Sequence, residues 1–139
     1  MNMTERARVA LSLLLLRVGV FVVFFAWTMD KFFKPDHAAK VFQKFYGIGG
    51  VGPVSLYLVA ALELALILAF LAGFRKRLVY GLVLALHAVS TFSAFRQYLD
   101  PFGNLLFFAA WPMLAACFAL YYLRDLDTLW TVDRNTRAR

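Results

Sequence analysis

Four stretches of this chain are almost wholly apolar, and the polar residues gather between them. Residues 9–29, 54–72, 78–95 and 105–123 are each long enough to cross a hydrocarbon layer of about 30 Å as a helix rising about 1.5 Å per residue. Gly73 followed by Arg75-Lys76-Arg77 marks a tight turn between the second and third. Asp100-Pro101-Phe102-Gly103 is a turn sequence by residue type and separates the third from the fourth. Trp111-Pro112 predicts a local kink in the last stretch.

The first stretch carries Arg17 inside it and bulky Phe24, Phe25 and Trp27 at its far end. A cleaved leader has a shorter, unbroken apolar core and small residues there, so the pattern predicts a retained span. Between the first two spans, Ala38, Val41, Phe42 and Phe45 fall at i, i+3, i+4, i+7, with Asp36, Lys40, Gln43 and Lys44 opposite. That spacing predicts a short amphipathic helix over 36–46, lying on the membrane surface or capping the bundle through protein contacts. Gly47 ends it. The run Gly-Ile-Gly-Gly-Val-Gly then imitates a phosphate-binding loop, but it follows no strand and leads into a span, so it reads as a flexible connector. Pro53 suits the first turn of the next helix.

The expected fold is therefore all-α: an integral membrane four-helix bundle with a short amphipathic surface helix between spans 1 and 2. Residues 1–125 form one transmembrane domain, and 126–139 form a polar cytoplasmic tail whose last residues are expected to be disordered. Composition agrees, because 63% of the 139 residues are hydrophobic and mean hydropathy is +0.70. A soluble domain this small could not hide that much apolar surface. The net charge of +7 sits at the ends of apolar runs and is not interleaved with aromatics in a polar segment, which argues against a nucleic-acid partner. Lys and Arg number nine at the termini and the 75–77 turn against five on the other side, which places both termini in the cytoplasm. Cys117, the only cysteine, reads as a small apolar helix residue.

Three spans each hold one ionisable group near mid-length: Arg17, Glu63 and His87. Counted along the helix from the cytoplasmic ends, they lie ~12, ~15 and ~14 Å deep. A central charge costs roughly 2.5–3.5 kcal/mol on insertion scales, so the common depth predicts that Arg17 pairs with Glu63 and that His87 bonds to one of them. Lys31, Tyr80, Ser90, Thr91, Asn104 and Trp111 extend these faces into a polar seam. It would be a buried polar centre or ligand site opening near Lys31 and Asn104. The same trio could serve only to fix helix register. No metal site is expected. His37 lies in a loop while His87 is mid-membrane, and one haem cannot use both.

Leu16-Arg17-Val18-Gly19, Lys31-Phe32 closing the first helix, Glu63 within the second, and Gly73 followed by basic residues resemble the DoxX-like family. These are small four-helix bacterial membrane proteins, and the resemblance covers about residues 10–125. Family members usually carry a glycine shortly before the lysine, where this chain has Trp27-Thr28-Met29-Asp30. The family takes its name from the membrane subunit of a thiosulfate:quinone oxidoreductase. The resemblance therefore implies a bacterial inner-membrane location, quinone or thiol redox chemistry, and a protein partner or a second copy besides the lipid bilayer. By position it carries over Arg17, Lys31 and Glu63. It implies no intrinsic cofactor other than a bound quinone. Three functions stay open: an accessory subunit of a redox complex, a scaffold or assembly protein, and a small proton-coupled transporter.

Overall fold

A computed structural model of the chain describes residues 2–133. The order is α1 (Met3–Phe33), α2 (Pro35–Val41) running into a π-helical turn (Phe42–Tyr46), α3 (Pro53–Leu71), α4 (Lys76–Ser93), the short α5 (Phe95–Tyr98), then a 3-10 turn (Leu105–Ala109) that opens α6 (Ala110–Tyr122). It is an all-α membrane bundle, and no strand occurs among the described residues. Three helical segments, Met3–Phe33, Pro53–Leu71 and Leu105–Tyr122, are long and apolar enough to cross a membrane.

Local chemistry sets the boundaries. A reciprocal capping box fixes the start of α1: Asn2 Oδ1 accepts the Glu5 N–H and Glu5 Oε2 accepts the Asn2 N–H, both at 2.8 Å. The helix stops at Lys34, which sits at φ −135° because the following Pro35 disfavours helical geometry. Gly47, at φ +69°, ends the π-helical turn in the left-handed region. Pro112 falls in the first turn of α6, at the join with the 3-10 turn. It has no N–H for the carbonyl four residues back, so the regular helix begins there and not at Leu105.

α1 packs against α3 and α6, and α4 packs against the same two, so α1 and α4 stand diagonally across the bundle. α4 shows what solvent the bundle is built for. Its buried face carries Tyr80, His87 and Thr91 beside Val79 and Val83, while Leu78, Leu82, Leu86, Val89 and Phe92 are exposed. Polar residues inside and apolar residues outside is the reverse of a soluble helix, and it suits lipid contact.

The filled core occupies the half of the bundle nearest the chain termini. There Leu13, Val20 and Phe24 of α1 meet Ile67 and Phe70 of α3, Val79 and Val83 of α4, and Cys117 and Leu120 of α6. At the far end α2 lies across the bundle against α1 and α3, and Phe45 of the π-helical turn packs on Phe107 with ring centroids 5.8 Å apart. The amphipathic segment therefore caps the bundle through protein contacts.

The segment after α6, expected as a polar cytoplasmic tail, packs against the bundle as far as Asp133. It turns back under the termini end: Asp127 is fully buried, and the Val132 and Asp133 amides donate to the Ala72 and Gly73 carbonyls. The expected disorder of the last residues concerns 134–139, outside the described residues. Gly73 sits at φ +61°, and a Cβ there would lie 2.6 Å from Thr131 Cγ2 and 2.9 Å from an Arg17 nitrogen. Gly47 has the same handedness with open space around it. Gly47→Ala should therefore cost about 1 kcal/mol of backbone strain. Gly73→Ala adds displacement of the returning segment and should cost about 3 kcal/mol or more. Thermal unfolding of the two variants in detergent checks the order.

Candidate functional site

The expected trio does not meet. Arg17, Glu63 and His87 fall into two separate polar sites, at different heights.

The first lies at the termini end and centres on Arg17, which has no exposed surface. Arg17 Nη1 donates to Asp127 Oδ2 at 3.0 Å and to Tyr80 Oη at 3.2 Å, and Nη2 donates to the Leu129 carbonyl at 2.6 Å. Tyr80 Oη donates in turn to Asp127 Oδ2 at 2.6 Å, a short bond of the kind a carboxylate accepts. Lys76 Nζ donates to the Asp127 carbonyl at 2.8 Å, and its backbone N–H donates to Asp133 Oδ2 at 3.1 Å. Arg17 is thus neutralised by Asp127 from the returning segment and not by Glu63. Arg17 Nε and Asp127 Oδ1 stay buried without a hydrogen-bond partner.

The second site occupies the far half, where the core gives way to a cavity of about 1200 Å³. Its walls are mostly apolar and aromatic, with Phe24, Trp27, Phe42, Phe45 and Phe107 among them. The Asp, Glu, Lys and His side chains on the wall are Lys31, Glu63, His87 and the Asp30–His37 pair, and the phenols of Tyr46 and Tyr98 line it too. Lys31 Nζ lies 2.8 Å from Glu63 Oε2 and donates to the Trp27 carbonyl at 3.1 Å, so its charge is paired and two of its three donors are used. His37 Nδ1 lies 2.7 Å from Asp30 Oδ2 at the rim.

His87 is fully buried in this wall. Its Nε2 lies 3.0 Å from the Ala110 carbonyl, with Thr91 Oγ1 at 3.4 Å, and Thr91 Oγ1 also donates to the His87 carbonyl at 2.8 Å. Trp27 stacks on the imidazole with centroids 6.0 Å apart, and Phe24 meets it edge-on at 6.1 Å. His87 Nδ1 is buried with no partner.

Of the supporting residues, Ser90 lines the cavity and Lys31 anchors Glu63 in it. Tyr80 belongs to the Arg17 site. Asn104 turns into its own loop, donating to the Asp100 carbonyl at 3.0 Å, and Trp111 packs on Phe92 and Tyr98 at the periphery. Neither reaches the cavity, so the expected mouth near Asn104 is absent from its wall. Among the described residues no cluster of three or more His, Cys, Asp or Glu side chains could hold a metal ion.

Sequence reasoning missed Asp127, Lys76 and Trp27. Leu123, Leu126 and Leu129 recur at every third residue around Asp127. That recurrence signals a packed segment and not a solvated tail.

The pairing can be tested by double-mutant cycles in detergent. Asp127→Ala should cost about 3–5 kcal/mol, because it leaves Arg17 buried and unpaired. The Arg17/Asp127 coupling should exceed about 1 kcal/mol, while Arg17/Glu63 should add within about 0.5 kcal/mol. A large Arg17/Glu63 coupling would contradict the arrangement.

The DoxX family model matches residues 12–96, more than half of the chain. No curated protein and no solved structure matches it.

Proposed function

The chain belongs to the DoxX family of membrane proteins, and on that premise we propose that it is an accessory membrane subunit of a quinone- or thiol-linked redox complex that holds an isoprenoid quinone in the far-half cavity. The observation that carries this is the cavity itself: about 1200 Å³ of mostly apolar space, lined in part by His87, whose Nδ1 is buried without a hydrogen-bond partner. Ligand sites are typically clefts of about 300–1000 Å³, apolar with a few placed polar groups, and this one has room for a ring and the start of its tail.

The residues fit a neutral ring. Lys31 and Glu63 cancel each other, which suits an uncharged ligand better than a carboxylate or phosphate. Trp27, Phe42 and Phe45 offer flat faces for stacking. His87 and Ser90 offer polar atoms for the ring oxygens. A bound quinone would supply two-electron, two-proton redox chemistry. The chain's own part is to hold the ring, to exclude water with the α2 cap, and to present His87 beside it. Electrons have to come from a partner protein, so we place the chain in a complex in the bacterial inner membrane. The excess of Lys and Arg at the termini end favours a cytoplasmic position for both termini.

Gly19 supports access from the bilayer. It is exposed on α1, it lines the cavity together with Met113 and Ala116 of α6, and a Cβ there would meet nothing within 4 Å. Transport is less favoured, because the Arg17–Tyr80–Asp127 network and the packed core close the termini half of the bundle.

Purification in mild detergent with native lipid should retain quinone at a substantial fraction of one per chain, measured by extraction and chromatography. Gly19→Trp, placed where there is open space, should reduce the retained quinone several-fold with little loss of stability. Absence of quinone in the wild-type preparation, together with no stabilisation on adding quinone, would refute the proposal.

A further inference from the structure

We infer that His87 makes the cavity selective for the reduced, hydroxyl-bearing form of its ring ligand. This rests on the proposal that the cavity holds a quinone, and it adds which redox form the site prefers.

His87 Nε2 faces the Ala110 carbonyl at 3.0 Å. A backbone carbonyl only accepts hydrogen bonds, so the 3.0 Å contact requires His87 Nε2 to carry the hydrogen. In a neutral imidazole the other nitrogen is then a bare acceptor. That nitrogen, Nδ1, belongs to a side chain with no exposed surface and has no partner. Leaving a buried acceptor unpaired is costly, and only a donor can relieve it.

The two forms of the ligand differ at this point. A quinol offers O–H groups, and one O–H directed at Nδ1 completes the hydrogen bonding of the ring. A quinone offers only carbonyl oxygens, which would set lone pair against lone pair. The other polar groups on the wall do not reverse this preference. Lys31 Nζ spends two of its three donors on Glu63 and the Trp27 carbonyl, and the third can serve a carbonyl or a hydroxyl oxygen alike. His37 pairs with Asp30, Tyr98 donates to the Thr91 carbonyl, Ser93 donates to the Ser90 carbonyl, and the Tyr46 hydroxyl can donate to either form or accept from the quinol. Ser90 carries a rotatable hydroxyl that serves either form. Trp27, stacked on the imidazole, limits how His87 can turn away.

The measurement is a pair of dissociation constants on the purified full chain in nanodiscs, for one decyl-tailed benzoquinone and its quinol. Both titrations are run anaerobically at about pH 8, above the ordinary imidazole range. The quinol should bind about tenfold more tightly than the quinone. His87→Phe, which keeps a flat ring but removes the acceptor, should bring the two constants within about twofold. His87→Gln, which offers the Ala110 carbonyl a donor and the ligand an acceptor, should keep the quinol preference. Equal binding of the two forms by the wild type, tighter quinone binding, or a preference that survives His87→Phe would overturn the selectivity and leave the cavity assignment standing. If neither form binds the wild type, the quinone site itself fails, and this inference with it.

Discussion

A guanidinium with no exposed surface, held inside a membrane bundle, must be answered by an acceptor at the same place. Arg17 is that group, and much of the termini half follows from satisfying it. Asp127 supplies the charge, Tyr80 bridges the two, and the carbonyls of Leu129 and Trp130 take the remaining donors on Nη2. Asp127 can reach Arg17 only if the chain folds back after α6, and the chain can fold back closely only over a residue without a side chain. Gly73 is that residue, at a backbone conformation few others adopt. Lys76 then ties the returning segment to the start of α4. The glycine, the tyrosine, the lysine and the folded tail are parts of one electrostatic solution.

That solution divides the interior. Where the Arg17 network and the apolar core sit, the bundle is filled and closed. Beside and beyond that core the same four helices line a half-open cavity, reaching from Leu15 and Gly19 on α1 to the α2 cap. Lys31 and Glu63 cancel each other's charge inside the cavity. Among the described residues that line the cavity, only His87 has a buried side-chain polar atom without a partner, its Nδ1. Stability is concentrated in one half of the molecule and binding chemistry in the other, which lets the second half stay hollow.

The architecture was legible in the sequence because lipid imposes simple rules. Long apolar runs, glycine and proline at their ends, and an amphipathic insert at i, i+3, i+4, i+7 spacing lead to the bundle and its cap. The same is true of Glu63, His87, Lys31 and Ser90 as interior positions. Their pairing was not legible, for a physical reason. Depth along a helix locates Cα atoms, whereas an arginine carries its charge on a long stem, and helix side chains lean toward the N-terminus. Arg17 therefore delivers its guanidinium to the level of Gly73, well below Glu63. Asp127 was hidden by a second effect. A charged, post-span segment resembles a solvated tail unless its leucine recurrence is weighed against its charges. Asn104 and Trp111 had the right residue types but were drawn to their own loop and to neighbouring rings.

The separation of Arg17 from Asp127 by 110 residues also has a meaning in time. A chain made from its N-terminus delivers α1 to the membrane well before the Asp127 segment. Throughout that interval the first helix holds a cation whose permanent partner has not been synthesised. The nascent protein must shelter it with water, lipid phosphate or a helper until the segment after α6 emerges. The filled half of the bundle can close only then, because that segment brings the charge that answers the first helix.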